Sequence, residues 1–143
     1  MSIKEIKKML NNYKFNKLAV AKRQQHLENL KSIILKASKR KDDISSATQI
    51  DIEVDNLKKL IAEEIIEEKM LYNEIKTNRE IESTINTLSQ PSKTILLSKY
   101  VLGLTFDEIA NDLFYSSKRI YQLHSIALVE FKDKYKNQIC KEI

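Results

Sequence analysis

An all-α fold follows from three features of the sequence. Glycine and proline each occur once in 143 residues, so the turns that a sheet demands are missing. Lys, Ile, Leu and Glu dominate, and apolar residues recur at helical rather than alternating spacing. Hydrophobic residues at 42% and charged residues at 31% fit a modest core beneath a wide hydrated surface.

Residues 1–88 are expected to form a long, coiled-coil-like helical hairpin, and residues 89–143 a compact domain. The first arm carries a broken apolar stripe of Ile3, Ile6, Leu10, Tyr13, Leu18, Leu27, Leu30, Ile34 and Ala37. The second carries Val54, Leu57, Leu60, Ile61, Ile65, Leu71, Tyr72 and Ile75. Charge supports the pairing: residues 1–50 hold 12 Lys/Arg against 4 Asp/Glu, and residues 51–88 hold 5 against 10. A chain that turns back through the polar stretch Ser38 to Gln49 would set opposite charges beside the seam. A break near Asn11 to Asn16 would instead split the first arm into two helices. The second arm, from about Asp51 to Leu88, would be about 57 Å long, more than a small core can cover. Part of it must project, pack on a second copy or bend, and the polar interval Lys76 to Glu80 is the expected bend.

The compact domain opens at SQPSKTILLSKY, with Ser89 as the expected N-cap, Pro91 in the first turn and Ile95, Leu96 and Tyr100 as the apolar face. Gly103 follows where a helix end favours positive φ. Thr105 and Glu108 have capping-box spacing, and Phe106, Ile109, Ala110 and Leu113 line the helix they start. After a short turn, Ile120, Leu123, Ala127, Leu128 and Phe131 begin another stripe, with Ser116 as its cap. Two short faces that bury each other across a turn have the layout of a DNA-reading helix-turn-helix. Ala110 falls where the two helices touch, and a larger side chain would force them apart. Phe114 occupies the turn where glycine is common, which implies either a turn without positive φ or local strain.

With Ile120 and Leu123 inward, Ser117, Lys118, Tyr121, Gln122 and Ser125 project outward, flanked by Arg119 and His124. Ser116, Ser117, Lys118, Arg119, Tyr121, Gln122 and Ser125 are the candidate DNA-binding residues. Gln122 has the shape for a bidentate pair with adenine, and Lys118 can donate to guanine or phosphate. Tyr121 can contact a phosphate or a thymine methyl, and the free N–H groups of the first turn suit a phosphate.

The run Leu97, Tyr100, Gly103, Thr105, Glu108, Ile109 and Ala110, continued by Arg119, Ile120, Gln122, Leu123, Ala127, Leu128 and Phe131, resembles region 4 of sigma-70-type factors. That region is the helix-turn-helix that reads the −35 promoter element. The resemblance covers roughly the last third of the chain. It implies base contacts at Ser117, Lys118, Tyr121 and Gln122. Ser117, Lys118 and Tyr121 stand where sigma factors usually have Arg, Glu and Arg, so a target other than the standard hexamer is implied. Nothing resembling sigma region 2 is present, and the architecture looks like small phage-encoded transcription regulators of the ArpU and RinA type.

The expected function is therefore a sequence-specific, DNA-binding transcription regulator of a phage or prophage. Its partners would be double-stranded DNA and, through the N-terminal hairpin, either a second copy or RNA polymerase. Two alternatives stay open: an interaction factor that binds RNA polymerase or a sigma-like partner, and a small terminase-like DNA-packaging subunit. The basic cluster Lys36, Lys39, Arg40 and Lys41 can serve either as a backbone contact or as a solvated turn. One glycine rules out a glycine-rich phosphate loop, and no nucleophile and base stand at a useful spacing, so no catalytic residue is expected. His26 and His124 are read as surface residues, Cys140 as incidental, and the acidic run Glu63, Glu64, Glu67 and Glu68 as a solvated face. No metal and no cofactor are expected. No apolar run approaches the roughly 20 residues a bilayer needs, and the polar start MSIKEIKKML does not resemble a secretory signal. A cytoplasmic protein without membrane contact is expected.

Overall fold

A computed structural model describes residues 1–39 and 47–141, and all regular structure among them is helical. The helices are α1 (Ile3–Lys39), α2 (Ala47–Thr87), α3 (Ser92–Leu96), α4 (Phe106–Leu113) and α5 (Ser117–Lys141). No described helix is long and apolar enough to cross a membrane. Arg40 and Lys41 of the basic cluster, and the turn expected near them, lie outside the described residues.

The chain separates into two compact units. One unit combines Met1–Lys17 with the chain from Lys76 onward, and the other is Leu18–Ile75. In the first, Ile6, Leu10 and Tyr13 of α1 and Ile81 and Ile85 of α2 meet Leu88, Leu96 and Tyr100. Ala127, Leu128, Phe131 and Tyr135 of α5 complete this core. An amphipathic stripe announces that a helix has a partner without saying which, and α1 spends its first four turns on this core. The Tyr13 hydroxyl donates to Glu82, and burial together with that carboxylate raises its pKa.

Both long helices run unbroken, so α1 is not split at Asn11 to Asn16. α2 continues through Lys76 to Glu80, the expected bend, and the boundary between the units falls at Ile75 and Lys76. α1 starts with a reciprocal capping box that the sequence reading overlooked. The Glu5 N–H donates to Ser2 Oγ (3.2 Å) while the Ser2 N–H donates to Glu5 Oε2 (3.1 Å).

In the unit Leu18–Ile75, salt bridges join Arg23 to Glu67 and Glu74 and Lys31 to Glu68, and His26 Nε2 lies 3.4 Å from Glu63 Oε1. Arg23 grips two carboxylates, with Nη1 at 2.6 Å from Glu67 Oε2 and Nε at 3.1 Å from Glu74 Oε2. Covered positions on α1 follow Val20, Arg23, Leu27, Leu30, Ile34 and Ala37, which is heptad spacing. The Leu18 assigned to the apolar stripe is exposed, as are Ile61, Ile65 and Tyr72 of α2. In this unit the covered positions of α2 are Val54, Leu57, Leu60, Glu64, Glu67, Leu71, Glu74 and Ile75. Charged residues occupy part of the seam, which leaves several isoleucines outside it.

Before α3, Ser89 does not cap a helix. Its N–H and hydroxyl both donate to Glu130 Oε1 at 3.0 Å, and the Glu130 carboxyl is held below its usual range mainly by that backbone bond. Pro91 holds the N-cap position without a side-chain bond, and Gln90 Oε1 accepts from the Thr94 N–H (3.2 Å) and hydroxyl (2.6 Å). Past α3 the helix widens into a π-helical turn over Leu97–Val101, closed by the Leu102 N–H donating to the Leu97 carbonyl. Gly103 follows at φ 75°, the left-handed geometry its sequence position suggested.

Candidate nucleic-acid interface

Local chemistry builds the α4–turn–α5 segment. Thr105 caps α4 by accepting from the Glu108 N–H (3.2 Å), and its hydroxyl meets Glu108 Oε1 (3.2 Å), so the expected side-chain pair forms. Ser116 caps α5 by accepting from the Arg119 N–H (3.1 Å). Between them the Tyr115 N–H reaches back to the Ala110 carbonyl (3.0 Å), which closes α4 with a left-handed residue at Phe114. Ile95, Ile109, Ala110, Ile120 and Leu123 form a separate core beneath the turn, with Leu104, Phe106 and Leu113 against it. Ala110 is buried there, as its small size requires.

Phe114 adopts φ 59° and ψ 36°, so of the two expectations for this position the strained one holds. Its side chain is 95% exposed and recovers almost none of that cost by burial. Phe114→Gly is therefore expected to stabilise the chain by about 1 kcal/mol. Thermal denaturation should show a rise of about 4 °C. An unchanged or lower midpoint would remove strain as a feature of this turn.

Ser116, Ser117, Lys118, Arg119, Tyr121, Gln122 and Ser125 are all exposed. Ser117, Lys118, Tyr121, Gln122 and Ser125 share one strip along the first turns of α5, backed by buried Ile120, Leu123 and Ala127. Several are already engaged. The Ser117 hydroxyl donates to Asp107 Oδ1 (2.9 Å), Arg119 Nη1 donates to Gln122 Oε1 (3.3 Å), and the Ser125 hydroxyl donates to the Tyr121 carbonyl (3.1 Å). Tyr121 leans on Phe106, with ring centroids 4.5 Å apart, so its free edge is presented from a fixed base.

His124 does not flank this strip; it is buried at 5% exposure. The Tyr100 hydroxyl and His124 Nε2 are hydrogen-bonded at 2.7 Å, and Phe106 meets the imidazole edge-on at 4.9 Å. Burial, with the charges of Lys7 and Lys99, pushes the imidazole down to about 4, and burial pushes the Tyr100 hydroxyl up to about 12. Both groups are neutral near pH 7. Lys99 completes the cluster with its ammonium 4.4 Å from the centre of the Phe106 ring. Sequence reasoning had no signal for Lys99, since only the turn at Leu97–Val101 carries it to Phe106.

Among the described residues, no three His, Cys, Asp or Glu side chains gather closely enough to hold a metal ion. His26 is exposed beside Glu63, and Cys140 is exposed in the last turn of α5. No family model, curated protein or solved structure matches this chain.

Proposed function

We propose that the chain is a sequence-specific DNA-binding regulator of the small phage type, in which α4 and α5 act as a helix-turn-helix and α1 with α2 as a helical hairpin. The observation that carries this reading is the strip of Ser117, Lys118, Tyr121, Gln122 and Ser125. It is polar, exposed and confined to the N-terminal turns of a helix whose opposite face is locked into a core. In this reading those turns enter the major groove and α4 lies across the backbone. Lys118 and Arg119 supply positive charge for phosphates, and the Ser116-capped helix end adds a favourable dipole. Gln122 Oε1 already accepts from Arg119 and keeps a second lone pair for the adenine amino group, while its amide N–H donates to adenine N7.

Gln122→Ala is expected to cost about 1–3 kcal/mol on the cognate duplex and to relax preference at one base pair. The cognate duplex would come from selection out of a random pool, and binding would be titrated against it and against an unrelated sequence. Equal losses on the two duplexes would remove base reading by Gln122.

A second reading, an interaction factor for RNA polymerase or a sigma-like partner, is favoured by Leu102, Phe114 and Tyr115. These are exposed apolar or aromatic side chains for which DNA offers little. Binding to random duplexes at two salt concentrations separates the readings. A DNA binder loses affinity steeply as salt rises, and an interaction factor has little to lose.

A further inference from the structure

Lys7, Lys14 and Lys99 collect along one side of the unit that carries α5. Lys7 and Lys14 are exposed, two turns apart on α1 and within about 20° of each other around it. Lys14 Nζ reaches 3.6 Å from the point where a Cβ on Gly103 would stand, so this edge of α1 runs beside the end of the turn that holds Lys99. Lys99 stands over Phe106, 4.4 Å from the ring centre, and Phe106 meets Tyr121 with 4.5 Å between centroids. One ring therefore links Lys99 to the exposed strip on α5. Lys7 belongs to the same neighbourhood: after burial, its charge and that of Lys99 hold the His124 imidazole down to about 4.

The fold gives these ammonium groups no counter-charge. Among the described residues no carboxylate forms a salt bridge with any of the three, although Arg23 and Lys31 further along α1 are both paired. Residues 1–17 hold five lysines and one acid, Glu5, which is engaged in the helix cap with Ser2. Asp107 and Glu108, next to Phe106 in the chain, are engaged with Ser117 and Thr105. Like charges gathered without partners repel, and a polyanion laid across them turns that repulsion into attraction. Because Phe106 makes the patch continuous with the strip, the polyanion that fits is the backbone of the duplex the strip would read.

We propose that Lys7, Lys14 and Lys99 form a clamp for the sugar-phosphate backbone, with α1 gripping the same duplex whose bases face Gln122. The clamp rests on the DNA-binding role proposed for α5 and extends the contact surface to α1, outside the sigma-like third of the chain.

The test titrates the full chain on a duplex selected from a random pool and on an unrelated duplex, each at several salt concentrations. Lys7→Gln with Lys14→Gln should flatten the slope of log affinity against log salt by about 1.8, and Lys99→Gln by about 0.9, on both duplexes alike. Lys8→Gln with Arg79→Gln removes as much charge as the first pair from exposed positions on other faces of α1 and α2, and should leave the slope nearly unchanged. Lys7→Arg with Lys14→Arg keeps the charge and should keep the slope. Lys7, Lys8, Lys14 and Arg79 are all exposed, so the thermal midpoint should hold in these variants. A slope that survives Lys7→Gln with Lys14→Gln, falls as far with the control pair, or changes on the selected duplex alone overturns the clamp and leaves base reading by Gln122 standing. A chain that binds neither duplex overturns the clamp together with the DNA reading, and points these lysines at an acidic protein surface instead.

Discussion

A fragment containing only residues 89–143 is expected to show no cooperative thermal transition, although it holds every residue of the α4–turn–α5 segment. Its underside is built from elsewhere in the chain. Ile6, Leu10 and Tyr13 of α1 are each no more than 1% exposed, and with Ile81, Ile85 and Leu88 they cover Leu96, Tyr100, Ala127, Leu128, Phe131 and Tyr135. Full burial of one large apolar side chain contributes about 1.5–3 kcal/mol. Loss of these partners removes about 10 kcal/mol, comparable with the whole stability of a typical domain, about 5–15 kcal/mol. Joining residues 1–17 to residues 76–143 through a short Gly/Ser linker restores the compact unit and should restore a cooperative melt. Circular dichroism of the two chains decides the matter. A fragment 89–143 that melts cooperatively near the full-chain midpoint would mean that α1 and α2 are dispensable to this core.

How far along the chain a signal reaches decides which parts of the fold were legible in the sequence. Signals that act over three or four residues read correctly, because the groups that satisfy them are neighbours in the chain. Thr105 caps α4, Ser116 caps α5 and Gly103 takes a positive φ, each from local chemistry alone. Ser89 misled because its hydroxyl found Glu130, a residue 41 positions away, and Pro91 holds the N-cap position. His124 misled for the same reason. Its spacing fits the flank of an exposed face, but Tyr100 and Phe106 arrive from other elements to bury it.

The α1–α2 seam was blurred by its own chemistry. Arg23, Glu64, Glu67 and Glu74 occupy covered heptad positions, so the apolar pattern on α2 splits into an inner set of Leu57, Leu60 and Leu71 and an outer set of Ile61, Ile65 and Tyr72. Read from sequence, the two sets merge into one broad stripe. The candidate site was legible as a strip of exposed residues, since burial of Ile120 and Leu123 fixes which side of α5 remains outside. Its internal ties, Ser117 to Asp107 and Tyr121 to Phe106, depend on how α4 crosses α5 and have no sequence signature.

Acid should destabilise the protein well before its carboxylates protonate, and His124 is the reason. In the unfolded chain an imidazole titrates near 6.5, whereas burial with the nearby charges of Lys7 and Lys99 pushes that of the native His124 down to about 4. Above pH 6.5 the group is neutral in both states and the full stability is present. Between 6.5 and 4 the unfolded chain binds a proton that the native chain refuses, so each pH unit costs about 1.4 kcal/mol, and the loss approaches about 3 kcal/mol near pH 4. Urea unfolding at a series of pH values should therefore show stability falling through that window. His124→Gln keeps a polar partner for the Tyr100 hydroxyl and removes the titration, so its curve should be flatter over the same window even where its absolute stability is lower. Parallel losses in the two proteins would assign the acid sensitivity to other groups. At the alkaline end, Tyr100 is raised to about 12 by burial against an unfolded value near 10, so its contribution is complete below pH 10 and is lost as the pH rises towards 12. The neutral Tyr100–His124 pair thus confines the most stable range of the α5 core between about pH 6.5 and 10, and Phe106 ties that same pair to Tyr121 on the exposed strip.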